Sequence, residues 1–215
     1  MKITEAKRVR GQQYILTFDG DAVTQITVDA STFEDSPYRV DGEISEEQLE
    51  ALLACSRYNR ARSRALYYLS ARDYAAKELE RKLYRCADKE TAAAVVQRLT
   101  EVGLINDAAY AERLAVSLVR YKRYPHRRVL QTLLQKGISR EDAQAAVDAL
   151  ESDDFQQALA LIRKKYYNKV QTPEGRQKTV AALARYGFPY DAVRRAIEAV
   201  RTQDDNEDWY EYNGD

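Results

Sequence analysis

The stretches "KGISREDAQAAVDAL" (136–150) and "YGFPYDAVRRAIEAV" (186–200) share one apolar spacing behind a glycine and almost none of their polar residues. With Gly137 and Gly187 as matching points, Leu130, Leu134, Ile138, Ala143, Val147 and Leu150 fall in step with Val180, Ala184, Phe188, Val193, Ile197 and Val200. The same ruler laid on Cys86 gives a third copy, Leu79, Leu83, Ala87, Ala92, Val96 and Leu99, at an interval of about 50 residues. Each glycine suits the left-handed position just past a helix end, with the next apolar residue folding back on the last turn. Asp88 and Ser139 stand where the following helix needs an N-cap. Pro189 takes that slot in the last copy and Cys86 replaces glycine in the first, so altered turns are expected there. One more amphipathic segment precedes each pair, at 62–72, 108–121 and 155–167, which makes each repeat a three-helix unit.

Ahead of the repeats the period changes. In "QQYILTFDGDAVTQITV" (12–28) apolar residues alternate at Tyr14, Leu16 and Phe18 and again at Ile26 and Val28, with Asp19-Gly20 where a tight turn belongs. Residues 1–44 read as a non-helical hairpin or three-stranded unit, too small to stand alone and expected to dock on the first repeat. Ser45, followed by Glu46, Glu47 and Gln48, is a capping box that opens a helix with Leu49, Leu52 and Leu53 on one face. The expected fold is mainly α: an elongated, curved array of three tandem three-helix repeats, preceded by a small N-terminal β unit and a leading helix. The expected boundaries are a β-rich unit at 1–44, a leading helix and linker at 45–64, repeats at 65–107, 108–151 and 152–202, and an acidic, disordered tail at 203–215.

The chain of 215 residues is 32% charged and 45% hydrophobic, the composition of a charged globular protein. No run approaches the roughly 20 apolar residues of a membrane span. The opening "MKITEAKRVR" lacks a signal-peptide core, and Cys55 and Cys86 form neither a disulfide framework nor a metal spacing, so a cytoplasmic protein is expected. Lys plus Arg and Asp plus Glu balance at 34 each, yet the charges are segregated. From Arg113 to Arg140 the bases Arg113, Arg120, Lys122, Arg123, Arg127, Arg128, Lys136 and Arg140 meet no acid, while acids crowd residues 1–50 and the tail. A basic middle between acidic ends binds a polyanion or an acidic protein face, or its own acidic tail.

The segments "YLSARDYAAKELERKL" (68–83), "GLINDAAYAE" (103–112) and "LLQKGISREDAQAAVDAL" (133–150) resemble the signature segments of the RecX family, bacterial regulators of the RecA recombinase. The similarity spans about Ala65 to Val200 and is most specific in the first two repeats. Members commonly carry Gly-Pro before the basic pair of the second repeat, where this chain has "RYPHRRVL" (123–130). The resemblance implies an all-helical, three-repeat protein that lodges in the groove of the RecA filament on DNA and suppresses its ATPase and strand exchange.

The residues themselves suggest binding and not catalysis. No nucleophile with its base, metal cluster or phosphate cradle is legible, so no catalytic residue, metal site or cofactor is assigned. The single histidine, His126, reads as a surface polar residue near a helix start, and Cys55 and Cys86 read as small packing residues. The eight glycines form neither a phosphate loop nor a dinucleotide fingerprint, and Asp153-Asp154 reads as an N-cap turn.

Sixteen tyrosines stand against four phenylalanines, and arginine or lysine recurs beside them: Arg57-Tyr58, Arg72 with Tyr74, 120–124, 164–167 and Arg185-Tyr186. Tyrosine faces and guanidinium planes suit wet protein interfaces and stacking on single-stranded bases, but also plain packing between helices. The candidate contact residues are Arg120, Lys122, Arg123, Arg127 and Arg128, then Arg72, Lys164 and Lys165, with Tyr121 and Tyr124 among them. Two partners stay open: the RecA filament implied by the resemblance, and single- or double-stranded DNA bound non-specifically by a helical-repeat protein competing for phosphates. A monomer with no membrane association is expected.

Overall fold

The computed structural model describes residues 1–19 and 24–212, with side chains described to residue 202. The Gly20 half of the expected Asp19-Gly20 turn and the side chains of the acidic tail lie outside that range. The chain forms two compact units, Met1–Ile105 and Asn106–Asp215.

The first unit opens with β1 (Ile3–Val9), β2 (Gln13–Phe18) and β3 (Thr24–Asp29), an antiparallel meander in the order β1-β2-β3. Tyr14 lies opposite Val28 and Leu16 opposite Ile26, so the alternation seen in the sequence is the sheet register. One face buries Ile3, Leu16, Phe18 and Val28 against Phe33, Ile44, Leu49 and Leu52. The leader is not wholly non-helical: "ASTFED" forms the short helix α1 (Ala30–Asp35). Asp29 caps it by accepting from the Thr32 N–H, and that local bond outweighs the β-type residues around it.

Helix α2 (Glu46–Ala71) begins at the capping box of Ser45 and Gln48. It passes through position 64 unbroken, so the leading helix and the first helix of the first repeat are one rod, with no linker between them. Its buried residues change sides along its length. At 100° per residue, Leu49, Leu52 and Ser56 lie on roughly the opposite face from Ala61 and Ala65. The first set packs on the sheet, where the buried Asp29 N–H donates to Ser56 Oγ at 2.7 Å. The second set packs in the repeat, against Leu79, Leu83, Ala92, Val96 and Leu99. The leader thus docks on a helix that the first repeat already owns.

That repeat is completed by α3 (Ala76–Leu83) and α4 (Lys89–Glu101). In the second unit, α5 (Asp107–Lys122), α6 (His126–Lys136) and α7 (Arg140–Asp148) form the second repeat. The third has α8 (Asp154–Lys165), the one-turn α9 (Tyr167–Val170), α10 (Pro173–Tyr186) and α11 (Tyr190–Tyr212). The fold is mainly helical, with three three-helix repeats behind a small sheet.

The turns follow the sequence. Gly137 (φ 94°) and Gly187 (φ 108°) are left-handed, and the next residues, Ile138 and Phe188, donate back to the carbonyls of Leu133 and Leu183. These are Schellman closures. Asp88 and Ser139 cap α4 and α7 by accepting from the N–H groups of Thr91 and Asp142. Cys86 lacks the left-handed conformation; its N–H donates to Leu83 O at 2.8 Å in a tighter turn. Cys55 and Cys86 are exposed free thiols, not packing residues.

The middle helices do not keep the register of the turns that follow them. In the middle helices the fully buried residues are Leu79 and Leu83, then Val129 and Leu133, then Thr179 and Leu183. Leu130 and Val180 are only half-buried, and Leu134 and Ala184 are exposed. The first turn is one residue shorter, five positions from Leu83 to Asp88 against six from Leu133 to Ser139. Relative to its turn, the middle helix of the first repeat is therefore displaced by one position from those of the other two.

Thr179 occupies the slot of Leu79 and Val129, is 1% exposed, and its hydroxyl has no hydrogen-bond partner among the described residues. A desolvated hydroxyl without a partner costs about 1–3 kcal/mol. Thr179→Val is therefore expected to raise unfolding stability by about 1 kcal/mol, read from the urea midpoint at constant slope.

Candidate partner-binding groove

The second unit carries a groove of about 510 Å³ between α6 and the end of α10. Tyr124, Arg127, Arg128, Gln131, Arg185 and Tyr186 line it, with Thr132, Gln135, Ala184 and Gly187 completing the wall. No acid is among them.

Its centre is a cation between two rings. The Arg128 guanidinium lies 4.4 Å from the Tyr124 ring centre and 4.0 Å from that of Tyr186, and its Nη1 donates to Tyr186 O at 3.3 Å. The two rings meet edge to face at 5.6 Å, and Tyr186 stacks on Phe188 at 6.0 Å. Burial pushes the Tyr186 hydroxyl above its ordinary pKa, partly offset by Arg128. Gly187 shapes the floor: a Cβ there would stand 3.4 Å from Pro125 Cγ and 3.5 Å from Arg128 Cβ.

The loop from α5 to α6 holds the second and third repeats together. Arg123 closes α5 in the left-handed conformation, and its Nη1 reaches Gln157 Oε1 at 3.4 Å. Gln157 is 5% exposed, so this bond serves a buried amide. The His126 N–H donates to Asp154 Oδ1 at 2.8 Å, and the Tyr186 hydroxyl donates to Lys122 O at 3.3 Å. His126 is half-buried at the start of α6, and its Nε2 is enclosed without a partner among the described residues.

The candidate residues therefore separate. Tyr124, Arg127 and Arg128 come together in the groove, with Lys122 and Arg123 behind it as struts. Arg120 lines a separate 330 Å³ depression with Val116, Val119 and Leu150, beside Tyr121, which is 75% exposed. Lys164 and Lys165 are exposed in the last turn of α8, where cations favour the helix terminus. Arg72 belongs to the first unit, where its guanidinium lies 3.7 Å from the Tyr74 ring centre and pairs with Glu78 at 2.9 Å. The groove also gains Arg185 and Tyr186, which the sequence showed only as one more Arg-Tyr pair, and Gln131, Thr132 and Gln135, which carried no signal.

Among the described residues no group of three or more His, Cys, Asp or Glu could hold a metal ion. Among them, too, no helix is long and apolar enough to cross a membrane. The described residues form three-helix repeats with a cationic, aromatic groove in the second unit. The sequence descriptions of the first, second and third RecX three-helix domains match residues 61–99, 106–147 and 151–197, and the chain belongs to the RecX family. It is 31% identical over 166 residues to the regulatory protein RecX of Clostridioides difficile, covering 76% of this chain and 78% of that one. It is 27% identical over 210 residues to the regulatory protein RecX of Streptococcus pneumoniae, covering 96% and 80%. Its fold matches a crystal structure of regulatory protein RecX with TM-score 0.69 and 23% identity, covering 92% of this chain and all of the other.

Proposed function

We propose that the chain regulates homologous recombination and DNA repair by binding in the groove of the RecA nucleoprotein filament and inhibiting ATP hydrolysis and strand exchange. The observation that carries this reading is the acid-free groove of Arg127, Arg128 and Arg185 with two tyrosines, built on two repeats of a family of regulatory proteins. Its arginines offer planar charge-assisted donors to carboxylates or phosphates of the filament. Repeats that contact neighbouring protomers add modest affinities through effective concentration. Inhibition follows only if the bound state of the filament is the inactive one.

A second reading is non-specific DNA binding, favoured by the acid-free run from Arg113 to Arg140. The two separate by salt and by RecA. Competition for duplex phosphates gives a log–log salt slope of about 0.9 per phosphate neutralised, with or without RecA. Filament binding gives tight association only when RecA coats the DNA, and Arg127→Glu with Arg185→Glu removes that increment. Equal affinity for bare and coated DNA supports the second reading.

A further inference from the structure

The first unit contains a second cationic and aromatic surface, on α2. From Ala51 to Ala71 that helix has no acid and carries Arg57, Arg60, Arg62 and Arg64, all exposed. At 100° per residue, Arg57, Arg60, Arg64 and Tyr67 fall within an arc of about 80°. That arc is centred about 100° around the helix from the buried Ala61 and Ala65, so the arginines flank the core of the repeat while their side chains stay exposed. Among the described residues none of the four arginines forms an ion pair with an acid; Asp88, held below its ordinary pKa mainly by hydrogen bonds from the Thr91 N–H and hydroxyl, lies near enough to Arg57 to add a small further lowering.

The C-terminal end of this face is ordered by rings. The Arg64 guanidinium lies 5.2 Å from the Tyr67 ring centre and 4.9 Å from that of Tyr68, and its Nε donates to the Tyr68 hydroxyl at 3.2 Å. Lys82 Nζ, from α3, approaches the Tyr68 ring at 4.2 Å. Tyr67 remains 63% exposed. Uncompensated arginines in a row repel one another, and an anionic partner relieves that repulsion. An exposed ring at the end of such a row is the arrangement that takes an unpaired base while the cations follow its backbone.

We infer that the α2 face of the first unit is a binding site for single-stranded nucleic acid, with Arg57, Arg60 and Arg64 on successive phosphates and Tyr67 against a base. The site acts without RecA and does not rest on the role proposed for the groove of the second unit. Recognition is of backbone charge and ring faces, hence independent of sequence.

The test is fluorescence anisotropy of the full chain with labelled oligo(dT), without RecA, over a range of salt. Loss of each phosphate contact lowers the salt slope by about 0.7 for a single strand. Arg57→Gln, Arg60→Gln and Arg64→Gln together are expected to weaken binding at least tenfold and lower the slope by about 2. Tyr67→Ala should weaken oligo(dT) binding while leaving the slope unchanged. Circular dichroism checks that these exposed substitutions leave the fold intact, and the slope of the unaltered chain is a second measure that needs no variant. Unchanged affinity and slope in the triple variant, no salt-dependent binding by the unaltered chain, or tighter binding of polyglutamate than of oligo(dT) overturns the inference. Loss of DNA binding in Arg127→Glu with Arg185→Glu but not in the α2 variant overturns it as well, and assigns DNA to the groove.

Discussion

Leu133→Ala is expected to lower stability by about 2–5 kcal/mol, whereas Leu134→Ala, one residue on, costs less than about 1 kcal/mol. Leu133 has no exposed surface and shares its slot with Leu83 and Leu183 at the centre of each repeat. Truncation there removes apolar area and leaves a cavity at a fully buried position, so the loss adds a cavity cost to the transfer cost. Leu134 is 37% exposed, and its contribution to the Gly137 turn is a backbone carbonyl that alanine also supplies. Urea unfolding of the two variants at equal slope measures the difference. Equal costs, or a larger cost at Leu134, would mean that α6 is turned by one residue from the packing described.

Gly175→Ala should cost about 2–3 kcal/mol although alanine is the better helix former. Gly175 is in the first turn of α10, where its N–H donates to the Thr172 hydroxyl at 3.1 Å. A Cβ there would overlap Lys169 O and stand 2.8 Å from Lys169 C, both backbone atoms of α9. Backbone cannot step aside as a long side chain does, so α9 must move and expose Val170, which is fully buried. Glu174→Ala, at an exposed neighbouring position, is the control and should be close to neutral. A stabilised Gly175→Ala would show that helix propensity wins and that the α9–α10 approach is looser.

Much of the fold was legible because local chemistry wrote it. The glycines at 137 and 187, the caps at Ser45, Asp88 and Ser139, and the alternation from Tyr14 to Val28 each specify a backbone conformation through residues close in sequence. Local chemistry falls silent where tertiary packing decides. The short turn at Cys86 hid a one-residue slip, and α2 changes its buried face midway, so no single periodic stripe marked it as one helix. The candidate groove was half legible. Tyr124, Arg127 and Arg128 stood out by charge, but their partner Tyr186 lies 58 residues beyond Arg128 and only folding brings it there. Arg123, equally conspicuous by charge, turns out to satisfy a buried glutamine. Of the α2 arginines only Arg57, beside Tyr58, stands out as an Arg-Tyr pair in the sequence; which of the four in residues 57–64 share an exposed face depends on the buried strip at Ala61 and Ala65.

The proposed action on the RecA filament rests on the groove lined by Arg127 and Arg185. Its most direct test is DNA-dependent ATP hydrolysis by RecA from the same organism, titrated with the chain and with Arg127→Glu plus Arg185→Glu. Both substitutions are at exposed positions, so the repeat fold is kept. The expected result is inhibition well below the amount needed to coat the DNA, and at least tenfold more of the double variant for the same effect. Inhibition that begins only when the DNA is saturated, equal for both proteins, would contradict it.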